Sequence, residues 1–355
     1  MPYWYSSFMH AQTGRMLIEA RQAPDVCEAQ LERNATLVRE AGRRLRDLAP
    51  RFAATLARGS SDQAAGFAKH LLEIHAGIPT LSHAPSVGSL YRASSPHFRG
   101  IPLIAISQSG RSPDLIAASE DAQRQGAIVV ALVNDTASPL AALADITIPV
   151  HAGTESSVAA TKSFIATLVA LTHLVGEWSG DDALLAALSG IGPRLREAAA
   201  QDWSAALPYL IPASDLLVLG RGPTLPIAGE AALKLKETAG LYAEAFSSAE
   251  VAHGPMTLVK AGDPVLAFGP GDVSAHGLRE RLADFAARGA PVIAAGPADD
   301  IAAATIQFPA PAGEHPVIGA IAAIQSFYGL ANAVAIARGR DPDRPPHLAK
   351  VTRTL

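Results

Sequence analysis

LARGSSDQAAGFAKHLLE, residues 56–73, and LGRGPTLPIAGEAALKLKE, residues 219–237, are two versions of one segment. Their Arg-Gly pairs (Arg58-Gly59, Arg221-Gly222) and later Ala-Gly pairs (Ala65-Gly66, Ala228-Gly229) stand 163 residues apart. The match continues in order along the chain. IPLIAISQSG from Ile101 pairs with DPVLAFGPGD from Asp263, and GAIVVALVND from Gly126 with GAPVIAAGPAD from Gly289. ADITIPV at 144–150 pairs with ATIQFPA at 304–310, and Ser163-Phe164 with Ser326-Phe327. A chain written twice predicts two homologous domains. Within each copy, short apolar runs (LIAIS, IVVALV, ITIPV; then LLVLG, VLAF, VIAAG, IQF) alternate with Ala/Leu-rich stretches at helical spacing. Runs apolar on both faces and separated by helices are strands of a covered parallel sheet. The expected class is α/β, two tandem doubly wound parallel-sheet domains. The expected bounds are a helical lead over 1–44, domains over 45–195 and 196–340, and a tail over 341–355 that docks.

Composition narrows the function. The 355 residues are 49% hydrophobic and 17% charged, which excludes disorder. A net charge of −4 gives no bulk attraction for nucleic acid or an acidic membrane surface. Apolar runs such as AIVVALV at 127–133 fall short of the roughly 20 residues that a bilayer requires. The stretch Val158–Val175, which carries Lys162 and His173, reads as a buried helix. One cysteine, Cys27, excludes a disulfide framework and a cysteine-built zinc site. The first residues lack the pattern of an export signal. A cytoplasmic protein with no membrane or nucleic-acid partner is the expectation.

The two copies differ where ligands bind. Ligands of a parallel sheet sit beyond the carboxyl ends of strands, where loops open onto helix N-termini. After LIAI the first copy has Ser107-Gln108-Ser109-Gly110-Arg111-Ser112, three hydroxyls and an amide beside a helix start. That is a phosphate cradle built from dipoles. The second copy has Gly269-Pro270-Gly271-Asp272 there, and Gly59-Ser60-Ser61 becomes Gly222-Pro223-Thr224. Ser and Gly are common turn residues, but their paired loss in copy two favours an anion site in copy one alone. Neither G-x-x-x-x-G-K-[ST] nor G-x-G-x-x-G is present.

Copy two carries the chemistry instead. EAALKLKE places Glu230, Lys234 and Glu237 at i, i+4 and i+7 on one helical face. Such a stripe is more often a solvated, ion-paired face. It is also an arrangement in which a carboxylate moves protons while an ammonium steadies an oxyanion. His253 precedes Gly254-Pro255 in a turn, and Lys350 lies in the terminal HLAKVTRTL.

G-[ST]-S, SQSG-x-[ST], VAATKSF (158–164), ALKLKE (232–237), E-x-x-HGP (250–255) and LAK (348–350) together resemble the sugar isomerase (SIS) family. The resemblance runs from about residue 15. It is nearest to the isomerase half of glutamine–fructose-6-phosphate aminotransferases and to stand-alone SIS-type glucosamine-6-phosphate deaminases. It implies a flavodoxin-like fold, with Ser61, Ser107, Gln108, Ser109 and Ser112 on the sugar phosphate, and Val158 and Ala159 lining the sugar pocket. It implies Glu237 as the base between C1 and C2, Lys234 on the intermediate's oxygen, and Glu230 in support. It further implies that His253 of a neighbouring subunit opens the ring, hence a homodimer with shared sites, and that Lys350 meets C2, where it or water displaces ammonia. No metal or redox cofactor is called for, because the carbonyl is the electron sink.

The aminotransferases carry a glutaminase domain with a cysteine after the initiator Met, whereas Pro2 stands here. SGRSPD (109–114) and the KVTRT tail also look like the deaminases. The expected activity is conversion of glucosamine 6-phosphate to fructose 6-phosphate and ammonia. A plain aldose–ketose isomerase, a galactosamine-6-phosphate deaminase and an Amadori deglycase share the same loop and base. A non-catalytic sugar-phosphate regulator has no use for Glu237, His253 and Lys350 together. Residues 1–45 are also too short for a DNA-binding module.

Overall fold

The computed structural model describes residues 14–93 and 96–350. It contains two sheets of five parallel strands. The first holds β1 (Ala53–Leu56), β2 (Thr80–Ser82), β3 (Pro102–Ser107), β4 (Ile128–Val133) and β5 (Ile146–Pro149), in the order β2-β1-β3-β4-β5. The second holds β6 (Asp215–Gly220), β7 (Tyr242–Ser247), β8 (Val265–Phe268), β9 (Val292–Gly296) and β10 (Ile306–Pro309), in the order β10-β9-β8-β6-β7. Read from opposite ends, the two orders are the same topology, as a duplication requires. All seven apolar runs read from the sequence are strands. The remaining three, β1, β2 and β7, are AATL, TLS and YAEAFS. These are short, Ala-rich or interrupted by Glu244, so they carry little of the β-branched signal.

The described residues fall into two compact units. One comprises 23–93, 96–155, 162–192 and 349–350; the other comprises 14–22, 156–161 and 193–348.

In the first unit the helix Ala23–Leu48 packs along the helix Lys162–Ser179. A Cβ on Gly42 would stand 2.7 Å from the backbone carbon of Glu177, so only glycine permits this approach. Gln30 donates to the carbonyls of Val150 (2.6 Å) and Ala166 (3.0 Å), and Asn34 donates to Pro149 (2.8 Å). These amides bind carbonyls at the end of the edge strand β5 and one carbonyl of the helix Lys162–Ser179. The buried helix begins at Lys162 rather than Val158; Val158–Thr161 is loop. Within that helix, burial, assisted by Arg39, pushes His173 down to about 4, so it sits in the core as a neutral imidazole.

In the second unit the central helix is Pro316–Ala337. It contains no Asp, Glu, Lys or Arg, and it is long and apolar enough to cross a membrane by length and composition. This overturns the reading that every apolar run is too short to span. Its most apolar window is 83% buried inside the fold, where it serves as a core helix. Gln325 within it donates to Ala20 of the helix Arg15–Ala20 at 3.0 Å.

Candidate active site

In the first sheet the strand order reverses between β1 and β3, and the two turns flanking that point are Arg58–Ser61 and Ser107–Ser112. Ser61 lies in the first turn of the helix Ser60–Leu71, and Ser112 is the N-cap of the helix Pro113–Arg124. The Ser112 hydroxyl makes no capping bond to that helix. Ser107 Oγ accepts from Gly110 N (3.1 Å), and Ser109 Oγ accepts from Arg111 N (3.3 Å). A hydroxyl that accepts keeps its own proton to donate, so Ser107 and Ser109 each retain a donor. Gly110 makes the turn possible. Its φ is +61°, and a Cβ there would run into the Ser138 side chain. Arg58 Nε, 3.1 Å from Asp114 Oδ2, ties the first turn to the helix after the second.

The equivalent turns in the second sheet are filled from within. Gly271 N donates to Asp300 Oδ2 at 2.8 Å, and Asp272 accepts from Ser274 N (2.8 Å) and Ser274 Oγ (2.5 Å). Burial pushes the Asp300 carboxyl above the usual carboxylate range. Thr224, 1% exposed, turns its hydroxyl onto Arg221 and the carbonyl of Phe268 (3.0 Å). Two carboxylates of the chain thus meet the loop donors of copy two.

The acid–base residues gather in the second unit. The helix Thr224–Lys234 passes into a π turn, Leu235–Ala239, which Gly240 ends at φ +58°. Copy one repeats this with Leu72–Ala76 and Gly77 at +65°. At the positions of Glu230, Lys234 and Glu237, however, copy one carries Phe67, Leu71 and Ile74. Glu237, three residues on, and Glu230, four residues back, both meet Lys234: Nζ is hydrogen-bonded to Glu237 Oε2 and lies 3.6 Å from Glu230 Oε1. Side-chain exposure is 0% for Glu230, 1% for Lys234 and 21% for Glu237. The solvated-face alternative therefore fails, because the ammonium is buried between two carboxylates of which only Glu237 reaches outward. Tyr328 OH adds a donor 3.4 Å from Glu230 Oε1.

Val158 and Ala159 lie on the loop 156–161, which is held by a residue that sequence reasoning missed. Glu19 accepts from Ser156 N (2.5 Å), Ser157 N (3.1 Å) and the Ser157 hydroxyl. Asp343 accepts from Arg15 N (2.8 Å) and Met16 N (2.7 Å), capping the helix Arg15–Ala20, while its carbonyl accepts from Val158 N (3.3 Å). His253 is exposed on the short turn Glu250–His253 after β7. It forms no hydrogen bond with the Glu230–Lys234–Glu237 group among the described residues.

Lys350 belongs to the unit of the first sheet. Its Nζ is 3.0 Å from Glu155 Oε2, the same oxygen that accepts from Gln108 Nε2 at 3.0 Å. Glu155 is the second residue that sequence reasoning missed. A lone Glu in a polar loop has no periodicity or motif spacing to mark it. Lys162 of VAATKSF is buried and donates to the Thr154 carbonyl at 2.6 Å.

Comparison with known proteins agrees with this fold. The SIS domain is matched twice, over residues 52–175 and 209–337. The isomerizing glutamine–fructose-6-phosphate aminotransferase of Zymomonas mobilis is 33% identical over 83% of this chain and 51% of its own length. The chain thus spans about half the length of the curated relatives it matches. A crystal structure from Silicibacter pomeroyi DSS-3, described as a candidate phosphosugar isomerase, is 40% identical, with a TM-score of 0.87 over 93% of this chain and all of that one. The C-terminal domain of glucosamine-fructose-6-phosphate aminotransferase from Francisella tularensis is 26% identical, with a TM-score of 0.83 over 94% and 99%. With two SIS units, each a five-stranded parallel sheet, the chain belongs to the SIS domain family and is related to the isomerase domain of the aminotransferases.

Proposed function

We propose that the chain converts glucosamine 6-phosphate to fructose 6-phosphate and ammonia. The observation that carries this reading is the buried Glu230–Lys234–Glu237 group with only Glu237 reaching out. The anion loop of copy one holds the phosphate through Ser61, Ser107, Gln108, Ser109 and Ser112. Ring opening, assisted by His253, exposes the C1 aldehyde and makes the C2 proton acidic. Glu237 removes that proton and returns it to C1, while Lys234 faces the oxygen on which charge develops. The product of this transfer is a C2 imine. Addition of one water and loss of one ammonia give the ketose; in this reading Lys350 is the amine that meets C2.

Purified protein incubated with glucosamine 6-phosphate is expected to release ammonia and fructose 6-phosphate in equal amounts, read by coupled assays across pH 6–9. Interconversion of an aldose and a ketose phosphate without ammonia would assign the site to a plain isomerase instead.

The exposure of His253 supports a site completed by a second copy. Mixed dimers of Glu237→Gln and His253→Ala subunits are then expected to regain activity, because one of their two sites is intact. Silence in mixed dimers verified by mass would place both residues in a single subunit's site.

A further inference from the structure

Glu155 stands at a junction that the proposed reaction does not itself explain. Its side chain is 0% exposed, yet it bears a carboxylate. Oε1 accepts from the backbone of Ser163 at 3.2 Å. Oε2 accepts from the Ser163 hydroxyl at 2.6 Å, from Gln108 Nε2 at 3.0 Å and from Lys350 Nζ at 3.0 Å. Ser163 is the second residue of the helix Lys162–Ser179, so this carboxylate also sits at the positive end of a helix dipole. Three independent parts of the unit therefore meet on one buried group: the anion loop, a core helix and the end of the chain. A carboxylate taken fully out of water is costly unless it is paired and hydrogen-bonded, so its retention here needs a reason.

We infer that Glu155 is a positioning residue that fixes the Lys350 amine relative to the anion loop, so that the group that meets C2 and the group that grips the phosphate share one anchor. This rests on the reading of Lys350 as the amine that meets C2. The helix bonds hold Glu155 still, and the two remaining donors are then set relative to each other by a single oxygen. Lys350 stands on a different kind of backbone. It lies eleven residues beyond Gly339, outside any helix or strand, and its side chain is 26% exposed. Without the anchor, a four-carbon stem on an irregular segment samples many positions, and the amine reaches C2 in only a fraction of them.

The test has a chemical arm and a kinetic arm, both on the full chain. In the chemical arm, amines are reductively methylated with formaldehyde and cyanoborohydride, and the rates at Lys350 and at the exposed Lys260 are read by peptide mass spectrometry. Wild-type Lys350 is expected to react at least about 10-fold more slowly than Lys260. Glu155→Gln, which keeps the volume and removes the charge, is expected to bring the two rates together. Equal rates already in the wild type overturn the inference without any variant, and so does a Lys350 rate unchanged in Glu155→Gln. This arm needs no turnover, so it stands even if the deaminase reading fails.

In the kinetic arm with glucosamine 6-phosphate, Glu155→Gln is expected to lower kcat about 100-fold with KM within threefold, and Glu155→Asp to recover part of it. The Glu155→Gln effect is expected to vanish in a Lys350→Met background, because partners acting as one unit are not additive. Multiplicative losses in the double variant would make Glu155 a structural residue alone.

Discussion

Glu237→Gln is expected to lower turnover of glucosamine 6-phosphate by about 10²–10⁴-fold, the usual contribution of a positioned general base. The amide keeps the size of the carboxylate, and its oxygen still accepts from Lys234, so the fold has little reason to change. Its nitrogen carries protons but cannot take one from carbon at neutral pH. Because Glu237 lies in the π turn of copy two and no phosphate donor is altered, affinity for the phosphosugar should stay close to that of the wild type. A kcat loss with KM nearly unchanged is the signature of an interaction made only in the transition state. Equal losses of binding and turnover, with a lowered melting midpoint, would make Glu237 a structural partner of Lys234.

Lys234→Met is expected to have the largest effect on stability. Lys234 is 1% exposed and Glu230 is 0% exposed, 3.6 Å away. Taking away the ammonium leaves the Glu230 charge buried without its cation, a change that costs about 3–5 kcal/mol. In a protein of this size that corresponds to a fall of about 4–7 °C in the melting midpoint. The account also predicts a rescue. Glu230→Gln added to Lys234→Met should recover most of the loss, since a buried ion pair replaced by neutral groups of similar volume is often tolerated. Both variants stay inactive, because the oxyanion has lost its cation. A single variant as stable as the wild type would mean that Glu230 is already uncharged in the fold, and the proposed electrostatics of the site would need revision.

The architecture is legible in the sequence because duplication and strand composition are local signals. Seven apolar runs are seven strands, and a nearly constant offset of 160–163 residues pairs the two copies. Asymmetry is legible too. Gly269-Pro270-Gly271-Asp272 differs from Ser107-Gln108-Ser109-Gly110 in donor count, and the structure adds that Asp272 and Asp300 meet the loop donors of copy two. The π turns cannot be read, because their i→i+5 bonds leave no periodic mark in five residues such as LKETA. Helical spacing does put Glu237 on the face of Lys234, and the contact seen is that i,i+3 pair.

Glu19 and Glu155 are invisible in the sequence for another reason. Each acts by accepting backbone and side-chain donors from residues distant in sequence, Glu19 from Ser156 and Ser157, Glu155 from Gln108 and Lys350. Only the folded chain brings those donors near. The expectations for residues 1–13 and for the tail past Lys350 lie outside the described residues.

Glucosamine 6-phosphate carrying deuterium at C2, followed by deuterium NMR with wild type and Glu237→Gln side by side, tests the central claim most directly. The account predicts that wild type moves the label from C2 to C1 of the ketose or into water, while Glu237→Gln binds the sugar and leaves the label in place. Label leaving C2 equally fast in both proteins would contradict it.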